Sequence, residues 1–123
     1  PEYSFTTEKL PVFAEIEAAA KKYGADLPAD TLVLGWASGM ILEKALGQCG
    51  ADCTREKLLN VLNGISVETA GIYPDPVTWS KGDHTRPASF TAYAWNPSSS
   101  SVERITEWSR VHAGTLAKVR TID

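Results

Sequence analysis

Asp30-Thr-Leu-Val-Leu-Gly-Trp-Ala-Ser-Gly-Met-Ile-Leu-Glu-Lys-Ala-Leu46 is the stretch whose reading decides the fold. From Leu32 to Leu42 it carries no charge, and apolar or small side chains fall on every side of a helical wheel. That pattern predicts a central helix buried on more than one face. At about 1.5 Å per residue the stretch would run roughly 22 to 25 Å, short of the ~30 Å hydrocarbon core of a bilayer. Glu43 and Lys44 also close the apolar run, so a membrane span is not the reading. Gly35 and Gly39 each lower helix propensity by about 1 kcal/mol relative to Ala, which implies that something approaches the backbone closely on that face. A neighbouring strand and a ligand are the two candidates.

Upstream, Asp30 is the expected N-cap of this helix, with Pro28 just before it. Before that lies an amphipathic helix in which Pro11 suits the first turn and Phe13, Ile16, Ala20 and Tyr23 form the inward stripe. Gly24 should end it. The first residues, Pro1 to Thr7, read as extended or irregular, with Tyr3 and Phe5 two apart and so on one side of a strand. The chain opens on Pro1, without an initiator Met, a charged n-region or an apolar h-region, and is read as a processed product or an excised part of a longer chain.

Downstream, Gly47 or Gly50 is expected to close the central helix, and Thr54 to cap a third helix from Arg55 to Leu62 whose Leu58, Leu59 and Leu62 face inward. Asn63-Gly64 ends it. Beyond Gly64 the helical period gives way to β-branched and aromatic residues between turns. Ser66 to Thr69 and Val77 to Trp79 read as strands, Pro74 and Pro76 exclude a central strand between them, and Ser80 to Asp83 reads as a turn. Ser89 to Trp95 alternates, and Asn96 to Ser101 is a loop. Val102 to Val111 fits either a helix or a returning strand, and the hairpin-like separation favours the strand. Ala113 to Asp123 reads as a tail with few anchors.

Composition sets the class. The chain has 123 residues, 43% hydrophobic and 22% charged, ordinary values for one soluble globular domain. A net charge of −3 with twelve scattered Lys and Arg gives no basic field, so nucleic acid is excluded as the expected partner. Cys49 and Cys53 are the only cysteines. Set where a helix ends, they read as a disulfide across a fold-back, and hence an oxidising compartment, in preference to two reduced thiols. A zinc site is disfavoured, since His84 and His112 follow no ligand spacing and no second Cys pair exists.

Several side chains invite a chemical reading. Ser80, Asp83 and His84 resemble the parts of a hydrolase, yet adjacency in a turn is not triad geometry, and a structural role is preferred. Trp79, Tyr93, Trp95 and Trp108 resemble a carbohydrate platform, yet their placement is that expected of the packed face of a small sheet. Asn96-Pro-Ser98 is no glycosylation acceptor, because Pro is its middle residue.

Taken together, Phe13 to Gly24, Gly35 to Leu46, Thr54 to Leu59, Gly71 to Trp79 and Gly82-Asp-His84 make the chain resemble the C-terminal part of a type I periplasmic solute-binding protein of the leucine/isoleucine/valine-binding family. The likeness covers most of positions 11 to 95. It implies an α/β fragment of a two-lobe fold, with helices over about 10–63 and a small β-section over about 66–111. Residues 1–68 would belong to the late segment of the first lobe, 69–111 to the last segment of the second, and 112–123 to a tail.

The resemblance further implies a non-enzymatic, cofactor-free, periplasmic or membrane-associated extracytoplasmic receptor that serves an ABC permease. Such a receptor closes its lobes on an amino acid or similar small carboxylate. Trp36 is the leading ligand contact on this reading, and Tyr3 and Phe5 line the same cleft. A sensory domain of the same fold is the alternative, and a small hydrolase a more distant one. Because the resemblance covers only part of the family's chain, it also implies an uncovered apolar face on the central helix, to be met by the rest of the polypeptide or by a swapped copy.

Overall fold

Glycine and threonine set the helix boundaries of the chain, and α1 is the simplest case. In a computed structural model that describes residues 10–27, 29–85 and 89–110, α1 runs Val12–Tyr23. Pro11 precedes it with φ −53°, and its missing N–H is one that no helix start can satisfy. Gly24 ends the helix at φ 71°, a left-handed conformation natural to glycine, which lets its own N–H and that of Ala25 reach the carbonyl of Ala20. Val12, Ile16 and Ala20 are buried, whereas Tyr23, expected on the same stripe, is 76% exposed. The stripe therefore closes one turn early, because Gly24 turns the chain away before a neighbour can cover the ring.

The central helix α2 spans Ala29–Cys49. It starts at Ala29, which places Asp30 inside the first turn and corrects its reading as the cap. Gly50, not Gly47, closes it at φ 77°, with its N–H on the Leu46 carbonyl at 3.0 Å. Thr54 caps α3, Arg55–Leu62, by accepting the Lys57 N–H on its hydroxyl at 3.2 Å.

Ala29, Val33, Ala37 and Ala45 are the buried positions of α2, spaced at fours and eights on one slowly drifting stripe. Its N-terminal half packs with Val12 and Ile16 of α1 and with Ile72, and its C-terminal half with Ile65, Val67 and the inner side of α3. Small alanines let those neighbours come close. Leu32, Trp36, Met40 and Ile41 pack half-buried beside these positions, so α2 is covered on more than one side, while Leu34, Leu42 and Leu46 remain 43 to 50% exposed. Leu59 of α3, also expected inside, is exposed, while Leu58 and Leu62 pack inward.

All strand pairing among the described residues is antiparallel. β1 (Ser66–Val67) pairs with β2 (Val77–Thr78), and the loop between them is tightly wound. Ala70 and Gly71 both take positive φ there, and a Cβ on Gly71 would meet Leu10 at 3.4 Å. The turn drives Ile72 into the helical core, with no exposed surface left. Thr69, itself buried, holds the turn: its carbonyl accepts the Ile72 N–H and its hydroxyl the Tyr73 N–H, each at 3.0 Å. Residues 68 and 69 lie within this hairpin, so the expected lobe boundary falls between strands that are paired.

The later β-section is one long hairpin in two pieces. β4 (Tyr93–Asn96) pairs with β5 (Ser101–Arg104), and β3 (Ser89–Phe90) with β6 (Ser109–Arg110). The returning segment is a strand, not a helix. Between the pieces Thr106 interrupts the ladder, its hydroxyl accepting the Ala92 N–H at 2.8 Å and meeting Thr91 Oγ1 at 2.9 Å. At the tip, Glu103 accepts hydrogen bonds from Asn96 at 2.9 Å and Ser99 at 2.6 Å, which hold its carboxyl below the usual range. No described residue of this hairpin is buried. The architecture is mixed α/β, three helices with short antiparallel sheets, and no doubly wound sheet forms among the described residues.

Candidate functional site

A groove lies between α1 and α2. Ala19 and Ala20 on one wall, and Gly35 and Gly39 on the other, are too small to fill the space between the helices. A Cβ at either glycine would meet nothing within 4 Å, so of the two expected occupants no strand approaches the backbone there. What remains is a groove of about 640 Å³, within the range usual for small-molecule sites. Trp36, Leu32 and Met40 of α2 face Ile16 and Tyr23 of α1 across it, and Glu15 and Glu43 complete the lining.

Trp36 is half-buried, packs against the core shared by α1, α2 and Ile72, and lines this groove. Tyr3 and Phe5, the other residues assigned to the cleft, lie outside the described residues. Tyr23, Glu15 and Glu43 belong to the groove and were not anticipated. Gly35, Gly39 and Glu43 follow at four-residue steps, a signal legible in the sequence once the open side of α2 is known.

No protein-family model, curated protein or solved structure matches this chain. The lining of the groove is mainly apolar, with two aromatic rings, two carboxylates and no cationic side chain. Glu15 and Glu43 make no ion pair or side-chain hydrogen bond among the described residues, so both remain available to a bound group.

The remaining sequence candidates are placed elsewhere. Asp83 turns to Thr85, accepting its N–H at 3.0 Å and its hydroxyl at 2.7 Å, contacts that lower its pKa. His84 Nε2 lies 2.7 Å from Asn63 Oδ1, and its ring stacks on Trp79 with centroids 5.3 Å apart. Ser80 and Asp83 are joined through their backbones. His84 thus ties the turn to the end of α3, and Asp83 serves the turn itself. Trp79 packs against the α2–α3 core, its Nε1 buried without a hydrogen-bond partner among the described residues. Trp95 is 61% exposed on the hairpin, so the aromatic set is neither a gathered platform nor the common packed face that was expected.

Cys49 and Cys53 are joined as a disulfide across Cα atoms 5.1 Å apart, closing the α2–α3 turn. Among the described residues, no three His, Cys, Asp or Glu gather as a metal site. No helix among them is long and apolar enough to cross a membrane.

Proposed function

We propose that this chain is part of an extracytoplasmic solute-binding component of an ABC importer, built on the two-lobe type I periplasmic-binding fold. It acts without catalysis, supplying one wall of a cleft that closes on an amino acid or similar small carboxylate. The observation that carries this reading is the state of α2. A helix apolar on all sides is expected inside a protein, yet here Leu34, Leu42 and Leu46 stay exposed, and half-buried Trp36 lines an open groove. A second lobe closing over the groove would account for its open side. The Cys49–Cys53 bridge suits an oxidising compartment.

In such a mechanism affinity comes from contacts made in the closed state, so one wall alone binds poorly. Calorimetry of aliphatic amino acids against this chain should therefore give no affinity tighter than about 1 μM, the level reached by some 8 kcal/mol of binding free energy. The same titration of a longer protein that carries this chain and both lobes should give tight binding. Tight binding by these 123 residues alone would show that no second wall is needed.

A further inference from the structure

From the charge of the groove between α1 and α2 we infer a class of ligand: a cation with an apolar body, such as an alkyl- or aryl-ammonium group. The inference rests on the reading that Trp36 faces the solute, and narrows it from small carboxylates in general to solutes that present an ammonium group to this wall. Three observations converge on it. The groove holds about 640 Å³ and is walled by apolar and aromatic groups, so the body of its occupant is apolar. Its carboxylate lining residues are Glu15 and Glu43, both without an ion-pair partner among the described residues. Trp36 is an aromatic ring of the kind that attracts cations, and Tyr23 shows the preference within the chain, since the Lys22 ammonium stands over its ring at 5.1 Å from the centroid and takes that face.

The same arrangement selects against an anion. A carboxylate entering the groove would meet two like charges; no Lys, Arg or His is among the lining residues, and the Lys22 ammonium beside them is engaged on the Tyr23 ring. Any carboxylate on the solute must therefore be received elsewhere, by the opposing wall. Gly35 and Gly39 give the groove its depth, since each lacks a side chain where nothing else fills the space.

Two probes of similar tail length separate charge from greasiness: hexyltrimethylammonium and hexanoate, titrated into the isotopically labelled chain and followed by NMR. The expected result is saturable shifts at the Trp36 indole N–H and the Gly39 amide, with the cation binding about tenfold more tightly than the anion. Glu15→Gln with Glu43→Gln should erase that preference, and Gly39→Leu should abolish the shifts by filling the groove. Equal affinities, tighter binding of the anion, or an absence of shifts at Trp36 and Gly39 overturns the inference. Should Gly39→Leu fail to fold, the glutamine pair alone decides, because both substitutions lie on exposed helix positions.

The importer reading fails or stands separately. A cation preference in the groove, together with an absence of tight solute binding by the two-lobe protein, keeps this inference and removes that one. Tight amino-acid binding by the two-lobe protein without a cation preference here does the reverse.

Discussion

Ile72 lies in a turn rather than in a regular element, yet it is fully enclosed and belongs to the core between α1 and α2. Its position depends on Thr69, whose hydroxyl and carbonyl collect the N–H groups that the left-handed residues Ala70 and Gly71 leave for it. Thr69→Val keeps shape and volume but leaves the half-buried Tyr73 N–H without its acceptor. It should destabilise the chain by about 1 kcal/mol, the net worth of a hydrogen bond whose donor water can still partly reach. Ile72→Ala removes a side chain from a closed site and should cost about 2–5 kcal/mol. Urea denaturation followed by helical circular dichroism measures both. Unchanged midpoints would mean that the turn is not fastened to the helical core.

At the scale of elements, α2 is one helix with two kinds of surface. Gly39→Ala should stabilise it by up to about 1 kcal/mol, because alanine is the better helix former and an added Cβ meets nothing. Thermal unfolding of the isolated chain tests this, and a fall in midpoint would reveal a contact absent from the described structure. The Cys49–Cys53 bridge closes a very short loop, so its reduction should cost only about 2 kcal/mol by the loop-entropy relation. Comparing denaturation with and without a reductant reads that difference.

The ends of α1 and α3 were legible because Gly24 and Thr54 act locally, through one backbone conformation and one side-chain cap. The buried side of α2 was not. Apolar residues all round a helix carry no phase, so the sequence indicates that burial occurs but not against which neighbour. The break in the hairpin at Thr91 and Thr106 was equally hidden, since it arises from side-chain hydrogen bonds between residues 15 apart in the chain. Trp36 was singled out by resemblance alone, whereas Glu15 and Tyr23 line the same groove only because two helices meet there, which no single-helix pattern encodes.

On the scale of the whole molecule, a helical body with its two cores is tied to a hairpin that buries none of its own described residues. Asp75 is one link between them. It accepts hydrogen bonds from Arg110 Nη2 at 2.6 Å and from Ser89, on the two strands at the open end of the hairpin. Arg110 first and Ser89 second hold the Asp75 carboxyl below its usual value, and Asp75 in turn raises the Arg110 pKa. A lowered carboxyl pKa means that the unfolded chain takes up the proton more readily than the folded one. The link therefore contributes above the ordinary carboxylate range and is lost as pH falls through the folded value.

Hydrogen exchange, corrected for intrinsic rates, should show protection at the β3 and β6 amides falling on acidification while protection in the middle of α2 persists. Asp75→Asn should lower protection at β3 and β6 already at neutral pH and remove most of its acid dependence. The β4–β5 tip should keep its own acid response, since the Glu103 carboxyl is also held low. Were α2 and the hairpin to lose protection together, the two would form one cooperative unit, and Asp75 would be a detail of a larger interface rather than the tie between two bodies.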